Sequence, residues 1–183
     1  MNRIDGKIAV ITGGTQGLGA AIARLFAKAG AAGIALVGRD QAKGDALARQ
    51  ITQDSGVPVQ MIAADLGEMG DVMRVVSGAF ARFGQIDIVV CNAASNPYYG
   101  PMAGIADDVF AKILQNNIIS NHWLITMTAP QMRARKDGSI INSDQQDAAF
   151  YEKSREAMQQ QGCWTGEVWQ RRKDGRDFLC AVQ

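Results

Sequence analysis

Thr12-Gly13-Gly14-Thr15-Gln16-Gly17-Leu18-Gly19 follows the apolar run Ile8 to Ile11. It precedes a segment whose apolar residues, Leu18, Ala21, Ile22, Leu25, Phe26 and Ala29, recur at helical spacing. A glycine-rich turn between a strand and a helix has a specific chemical use. Its glycines permit a tight turn and let backbone N–H groups approach a pyrophosphate, while the helix N-terminus adds partial positive charge. Glycines also simply make turns. Placement after the first strand of a strand–helix series is what points to dinucleotide binding.

That series continues outward from the turn. Ile34 to Val37, Val57 to Ala63, Ile86 to Val90 and Ser139 to Asn142 are further apolar runs, without the alternation of a half-exposed strand. Such runs are expected of parallel strands covered on both faces by helices. Val72, Val75, Val76, Ala79, Phe80 and Phe83 supply one intervening helical face, and Gly30 and Gly84 stand where helix C-termini should be. Right-handed crossovers between successive strands then give a Rossmann-type, doubly wound α/β domain. The fourth crossover is the longest, from about residue 107 to residue 136. Its apolar face reads Phe110, Ile113, Leu114, Ile118, Leu124 and Ile125, with Asn117 and Asn121 on the same face. An asparagine buried there needs hydrogen-bond partners, as a structural link or as part of a site.

Composition excludes several other classes. The chain has 183 residues, enough for one ordinary domain with a hydrophobic core and a small appendage. A net charge of +1 leaves no basic surplus for neutralising nucleic-acid phosphates. No stretch approaches the roughly 20 apolar residues of a membrane span. The polar start, Met1 to Lys7, does not read as a signal peptide. Cys91, Cys163 and Cys180 are odd in number and far apart, which argues against disulfides or a zinc site. A cytoplasmic location is expected.

Beyond the turn, Asp65-Leu66 follows the third strand and Asn92-Ala93-Ala94 the fourth. Asn117 sits in the long helix, and Gly138-Ser139-Ile140-Ile141-Asn142 opens the fifth strand. In this order, with the Gly-x-x-x-Gly-x-Gly turn, residues 4–143 resemble the short-chain dehydrogenase/reductases. The resemblance implies that Gly13, Thr15, Gln16, Gly17, Leu18 and Gly19 receive the cofactor and that Asp65, with Leu66 beside it, meets the adenine. It also implies that Asn92, Ala93 and Ala94 flank the adenosine and the central sheet, and that Asn117 supports a proton relay. The register of motifs and crossovers predicts five parallel strands in the order 3-2-1-4-5.

Cofactor preference follows from charge. A NAD-preferring site places a carboxylate at the end of the second strand, against the ribose hydroxyls. Here Val37-Gly38-Arg39-Asp40 removes the carboxylate at Gly38 and offers the planar guanidinium of Arg39 to a phosphate. NADP(H) is expected in preference to NAD(H), with Asp40 capping the next helix. Expected partners are therefore a nicotinamide dinucleotide and a carbonyl or alcohol substrate, with a homo-oligomer as a further option, and neither nucleic acid nor membrane.

The catalytic pattern of the family is incomplete. It calls for a serine, then Tyr-x-x-x-Lys on a following helix, so that the lysine depresses the tyrosine pKa. Tyr98, Tyr99 and Tyr151 are followed four residues on by Met102, Ala103 and Arg155. Ser143 and Tyr151 are the remaining candidates beside Asn117. Arg155 hardly deprotonates and is the wrong cation, and Ser143 lies closer to Tyr151 than the family places its serine. Two readings follow: an oxidoreductase with doubtful hydride transfer, or a non-catalytic NADP(H)-binding or interaction protein from a truncated or fused gene.

The texture changes after Asn142, and a boundary is expected near residue 145, dividing 1–145 from 146–183. Ala148 to Gln161 reads as a helix. Trp164 to Arg172 and Arg176 to Val182 alternate like strands joined at Lys173-Asp174-Gly175, a hairpin signal. Gly162 to Gly175 and the helix before it resemble the C-terminal end of a PAS sensor domain. A hairpin that simply packs is the plainer alternative.

Overall fold

The computed structural model describes residues 4–142, 166–171 and 177–182. The chain divides into two compact units, Met1–Asn142 and Ser143–Gln183. In the first, β1 (Ile8–Thr12), β2 (Gly33–Gly38), β3 (Val59–Ala63), β4 (Ile88–Cys91) and β5 (Ser139–Asn142) form one sheet in the order β3-β2-β1-β4-β5. Every pairing in it is parallel. This is the predicted doubly wound order. β3 starts two residues later than its apolar run because Pro58 has no N–H to give a ladder; its carbonyl instead accepts from Ile34 N–H at 3.1 Å.

Alternation along the central strands builds two cores. Ala9 and Ile11 of β1, with Ile34 and Leu36 of β2, pack beneath α1 (Gly17–Lys28) and α2 (Gln41–Ser55). Val10, Ala35 and Val37 face the other way, against Val72, Val75 and Ala79 of α3 (Met69–Phe83). Gly30 and Gly84 follow α1 and α3 with positive φ, as their positions predicted. The face of α1 is the predicted one only in part: Ile22 and Phe26 pack against the core and Ala29 is buried. Gly19, Ala23 and Ala27 are buried, whereas Leu18 and Leu25 are 59% and 61% exposed. A helix that starts directly from the end of β1 lies close to the sheet, and only small residues fit beneath it.

The long crossover is three segments: α4 (Asp107–Leu114), a π-helical turn (Gln115–Ile119) and α5 (Ser120–Arg135). The wider turn shifts the phase of everything after it. Ser120, Leu124, Thr128 and Met132 are the buried residues of α5, and Ile118 is 61% exposed rather than on an inward face. Opposite the carboxyl ends of the strands, buried Asp87 accepts from Ile8 N–H at 2.8 Å and from Arg135 at 3.1 Å. It thereby ties the start of β1 to the end of α5.

In the second unit, β6 (Gly166–Arg171) and β7 (Asp177–Val182) pair antiparallel, from Gly166 opposite Val182 to Arg171 opposite Asp177. That is the pairing expected of a hairpin. The turn at Lys173-Asp174-Gly175 and the helix expected over 148–161 lie outside the described residues. No described helix is long and apolar enough to cross a membrane.

Candidate functional site

A cleft of about 480 Å³ opens at the carboxyl ends of the parallel strands. The glycine turn forms its floor. Gly13 (φ +62°) and Gly17 (φ +52°) adopt left-handed backbone that other residues rarely take. Gly19 is needed for space: a Cβ there would sit 2.2 Å from the Gly13 carbonyl oxygen. The turn consequently folds tightly back on the first turn of α1. Gly13, Thr15, Gln16 and Gly17 line the cleft. Gly19 is buried behind them, and Leu18 is exposed beside the cleft rather than lining it.

One wall is the loop after β3, where Asp65 and Leu66 line the cleft. Asp65 Oδ1 accepts from Gly67 N–H at 3.0 Å, closing the loop on itself. Asp71 Oδ2 accepts from Asp65 N–H at 2.8 Å, and Arg74 donates to both Asp71 Oδ1 (2.7 Å) and the Ala63 carbonyl (2.9 Å). The Asp65 N–H, and then Arg74, hold the Asp71 carboxyl below its usual value. The opposite wall carries Asn92, Ala93 and Ala94 after β4. Buried Thr12 joins it to β1: its hydroxyl donates to the Val90 carbonyl at 3.0 Å and accepts from Asn92 N–H (2.9 Å) and Ala93 N–H (3.0 Å). Asn92 Nδ2 donates to the Thr12 carbonyl at 3.0 Å. The Asn92 amide is thus committed to the sheet, while its loop still faces the cleft.

At the third edge, exposed Arg39 lines the cleft beyond Gly38, with Asp40 and Lys43 beside it. Asp40 caps α2, accepting from Lys43 N–H at 3.0 Å, as expected. The space beside Gly38 is not open. A Cβ there would come within 2.7 Å of Thr15 Cγ2, so a carboxylate at this position would need Thr15 to move.

The π-turn reaches both walls. Gln115 Nε2 donates to the Gly67 carbonyl (3.1 Å), and Asn116 Nδ2 to Ser95 Oγ (2.9 Å). Asn117 grips the backbone of Ser95 in both directions, Oδ1 accepting from its N–H at 2.8 Å and Nδ2 donating to its carbonyl at 2.9 Å. The carbonyls of Asn116 and Asn117 accept from Ser120 Oγ and Asn121 Nδ2. Asn121 is therefore a structural link within the helix. Asn117 does not line the cleft; its neighbour Asn116 does. Ser143 and Tyr151 lie outside the described residues.

Sequence reasoning missed Thr12, Asp71, Arg74, Lys43, Gln115 and Asn116 as supports of this site. Only Thr12 carried a signal, a polar residue ending an otherwise apolar buried strand.

Comparison with known proteins bears on the family and the fold. The short chain dehydrogenase family matches residues 7–149. Dehydrogenase/reductase SDR family member 4 of Mus musculus is 32% identical over 140 residues, 76% of this chain and 50% of that protein. L-fucose dehydrogenase of Rattus norvegicus is 33% identical over 146 residues, 78% of this chain and 50% of that protein. The chain thus spans about half the length of the curated relatives it matches. Among solved structures, L-sorbose reductase from Gluconobacter frateurii, complexed with NADPH and L-sorbose, superposes with a TM-score of 0.72 at 36% identity. That match covers 76% of this chain and 52% of the reductase. A metagenomic short-chain oxidoreductase in complex with NADP gives 0.73 at 28% identity, covering 85% of this chain and 78% of that one.

Proposed function

The chain belongs to the short-chain dehydrogenase family, and from that premise we propose that its first unit binds a nicotinamide dinucleotide, NADP(H) in preference to NAD(H). The observation that carries this reading is the convergence of the glycine turn, Arg39, Asp65 and Asn92 on one cleft. NADPH and NADP in the two related structures support it.

The residues present fit such a group. The glycine turn leaves backbone at the N-terminus of α1 for the pyrophosphate to approach. Asp65 spends one carboxylate oxygen on its own loop, and the other is the acceptor for an adenine amino group. Leu66 N–H complements it, and Ala93 and Ala94 flank the adenosine. Arg39 faces the 2′-phosphate, and Gly38, closed off by Thr15, puts no carboxylate at the end of β2. Asn117 acts on this site by holding Ser95 in place.

When bound, the cofactor supplies hydride chemistry to a carbonyl or alcohol. The chain's own task is to move a proton at the substrate oxygen, and here the residues fall short. An unassisted tyrosine has a pKa of about 10, and four residues after Tyr151 the sequence has Arg155, which hardly deprotonates, where the family has lysine. Loss of an effective acid–base group costs a factor of about 10²–10⁴ in rate. We therefore expect cofactor binding with severely impaired turnover. The second unit, by its likeness to the end of a PAS domain and the β6–β7 pairing, reads as an interaction element.

NADPH oxidation against a panel of ketones and aldehydes tests the catalytic half of this reading. Turnover barely above background is expected. Robust turnover abolished by Tyr151→Phe would overturn it and make Tyr151 the acid.

A further inference from the structure

Lys43 is placed against the preferences of its own helix. It lies in the first turn of α2, which contains no acidic residue, where the helix dipole disfavours a cation. Exposed as it is, its Nζ donates to Gln16 Oε1 on the glycine turn, and both residues line the cleft beside Arg39. Gln16 is equally displaced from local duty: it is the N-cap of α1, yet its side chain makes no capping bond. Helix stability explains neither side chain.

We propose that Lys43 is a specificity-determining residue of this cleft, taking the 2′-phosphate of NADP(H) together with Arg39, with Gln16 holding it in position beforehand. The inference rests on the cofactor reading above and adds a residue to it. Charge makes the case. Arg39 brings one positive charge to this edge, and Asp40 next to it brings one negative. A phosphate monoester carries a charge of about −1.5 to −2 near neutral pH, so Arg39 and Asp40 alone offer it no net attraction. Lys43 makes the edge net positive. Its present partner is a neutral amide, whereas a phosphate in the same place adds the attraction of opposite charges. The exchange from Gln16 to phosphate is therefore favourable.

The test is titration of the full chain with NADPH and NADH, and with 2′,5′-ADP and 5′-AMP as probes of the phosphate alone. Lys43→Met is expected to weaken NADPH and 2′,5′-ADP about tenfold. It should leave NADH and 5′-AMP within about twofold and should not lower the melting temperature, since it relieves the dipole. Asp40→Asn, which keeps a capping oxygen, is expected to tighten NADPH several-fold. If the wild type prefers NADPH and Lys43→Met changes nothing, or weakens both dinucleotides equally, Lys43 has no part in phosphate recognition. If the wild type binds neither dinucleotide, the cofactor reading fails and this inference falls with it.

Discussion

Gly19 is fixed by a carbonyl oxygen rather than by a dihedral angle. A methyl group placed 2.2 Å from Gly13 O must push the turn off α1, so Gly19→Ala is expected to cost about 1–3 kcal/mol of stability, as overpacking does. It should also weaken dinucleotide binding by more than tenfold, read from a thermal melt and a fluorescence titration of the same variant. Asp87 makes the opposite point, because it lies at the far end of the sheet and supports no site. Asp87→Leu would strand Ile8 N–H and take one of several partners from Arg135, and should destabilise the chain by roughly 1–3 kcal/mol in chemical denaturation. Cofactor affinity of the folded fraction should not change. The two residues also differ in how they could be found. Gly19 belongs to a local pattern of glycines and was legible. Asp87 and Thr12 work through partners 79 and 78 positions away in sequence; Thr12 showed only as a polar end to an apolar strand, and nothing local marked Asp87.

Among elements, the strands were legible because five apolar runs with no alternation admit one arrangement, covered on both faces. The helices were legible in position but not in phase. On α1 Leu18 and Leu25 point outward while Ile22 and Phe26 flank the core, since the close approach to the sheet reserves the innermost stripe for Gly19, Ala23 and Ala27. On the long crossover the π-turn, which no spacing announces, moves the buried face to Ser120, Leu124 and Thr128. The loop between β3 and α3 carries a further prediction. Asp71 holds the N–H of Asp65, and through it one wall of the cleft. Asp71→Asn is expected to weaken NADPH several-fold. Because the folded carboxyl titrates below its usual 3.8, its contribution to stability is complete above that value and is lost as pH falls through the lower, folded one. The stability difference between wild type and Asp71→Asn should therefore stay constant from neutral pH down to about 5 and shrink below about 4. A difference that instead grows on acidification would show that Asp71 is not held as a carboxylate.

For the molecule as a whole, the first unit carries the glycine turn and its cleft, and of the catalytic candidates only Asn117 falls within it. The proposed cofactor recognition needs backbone, one carboxylate and one or two cations, and Gly13, Asp65, Arg39 and Lys43 all line one cleft. The catalytic candidates Ser143 and Tyr151 were legible only by spacing, and the spacing departs from the family's. Cofactor binding is the property we propose for this unit. The most direct measurement is a pair of dissociation constants, for NADPH and NADH, on the wild type and on Arg39→Ala. The account predicts tighter NADPH binding by the wild type. Arg39→Ala should then lose roughly 1.5–3 kcal/mol for NADPH, the range of a hydrogen bond to a charged group, and almost nothing for NADH. Equal constants for the two dinucleotides, or an Arg39→Ala variant that binds NADPH as the wild type does, would contradict it.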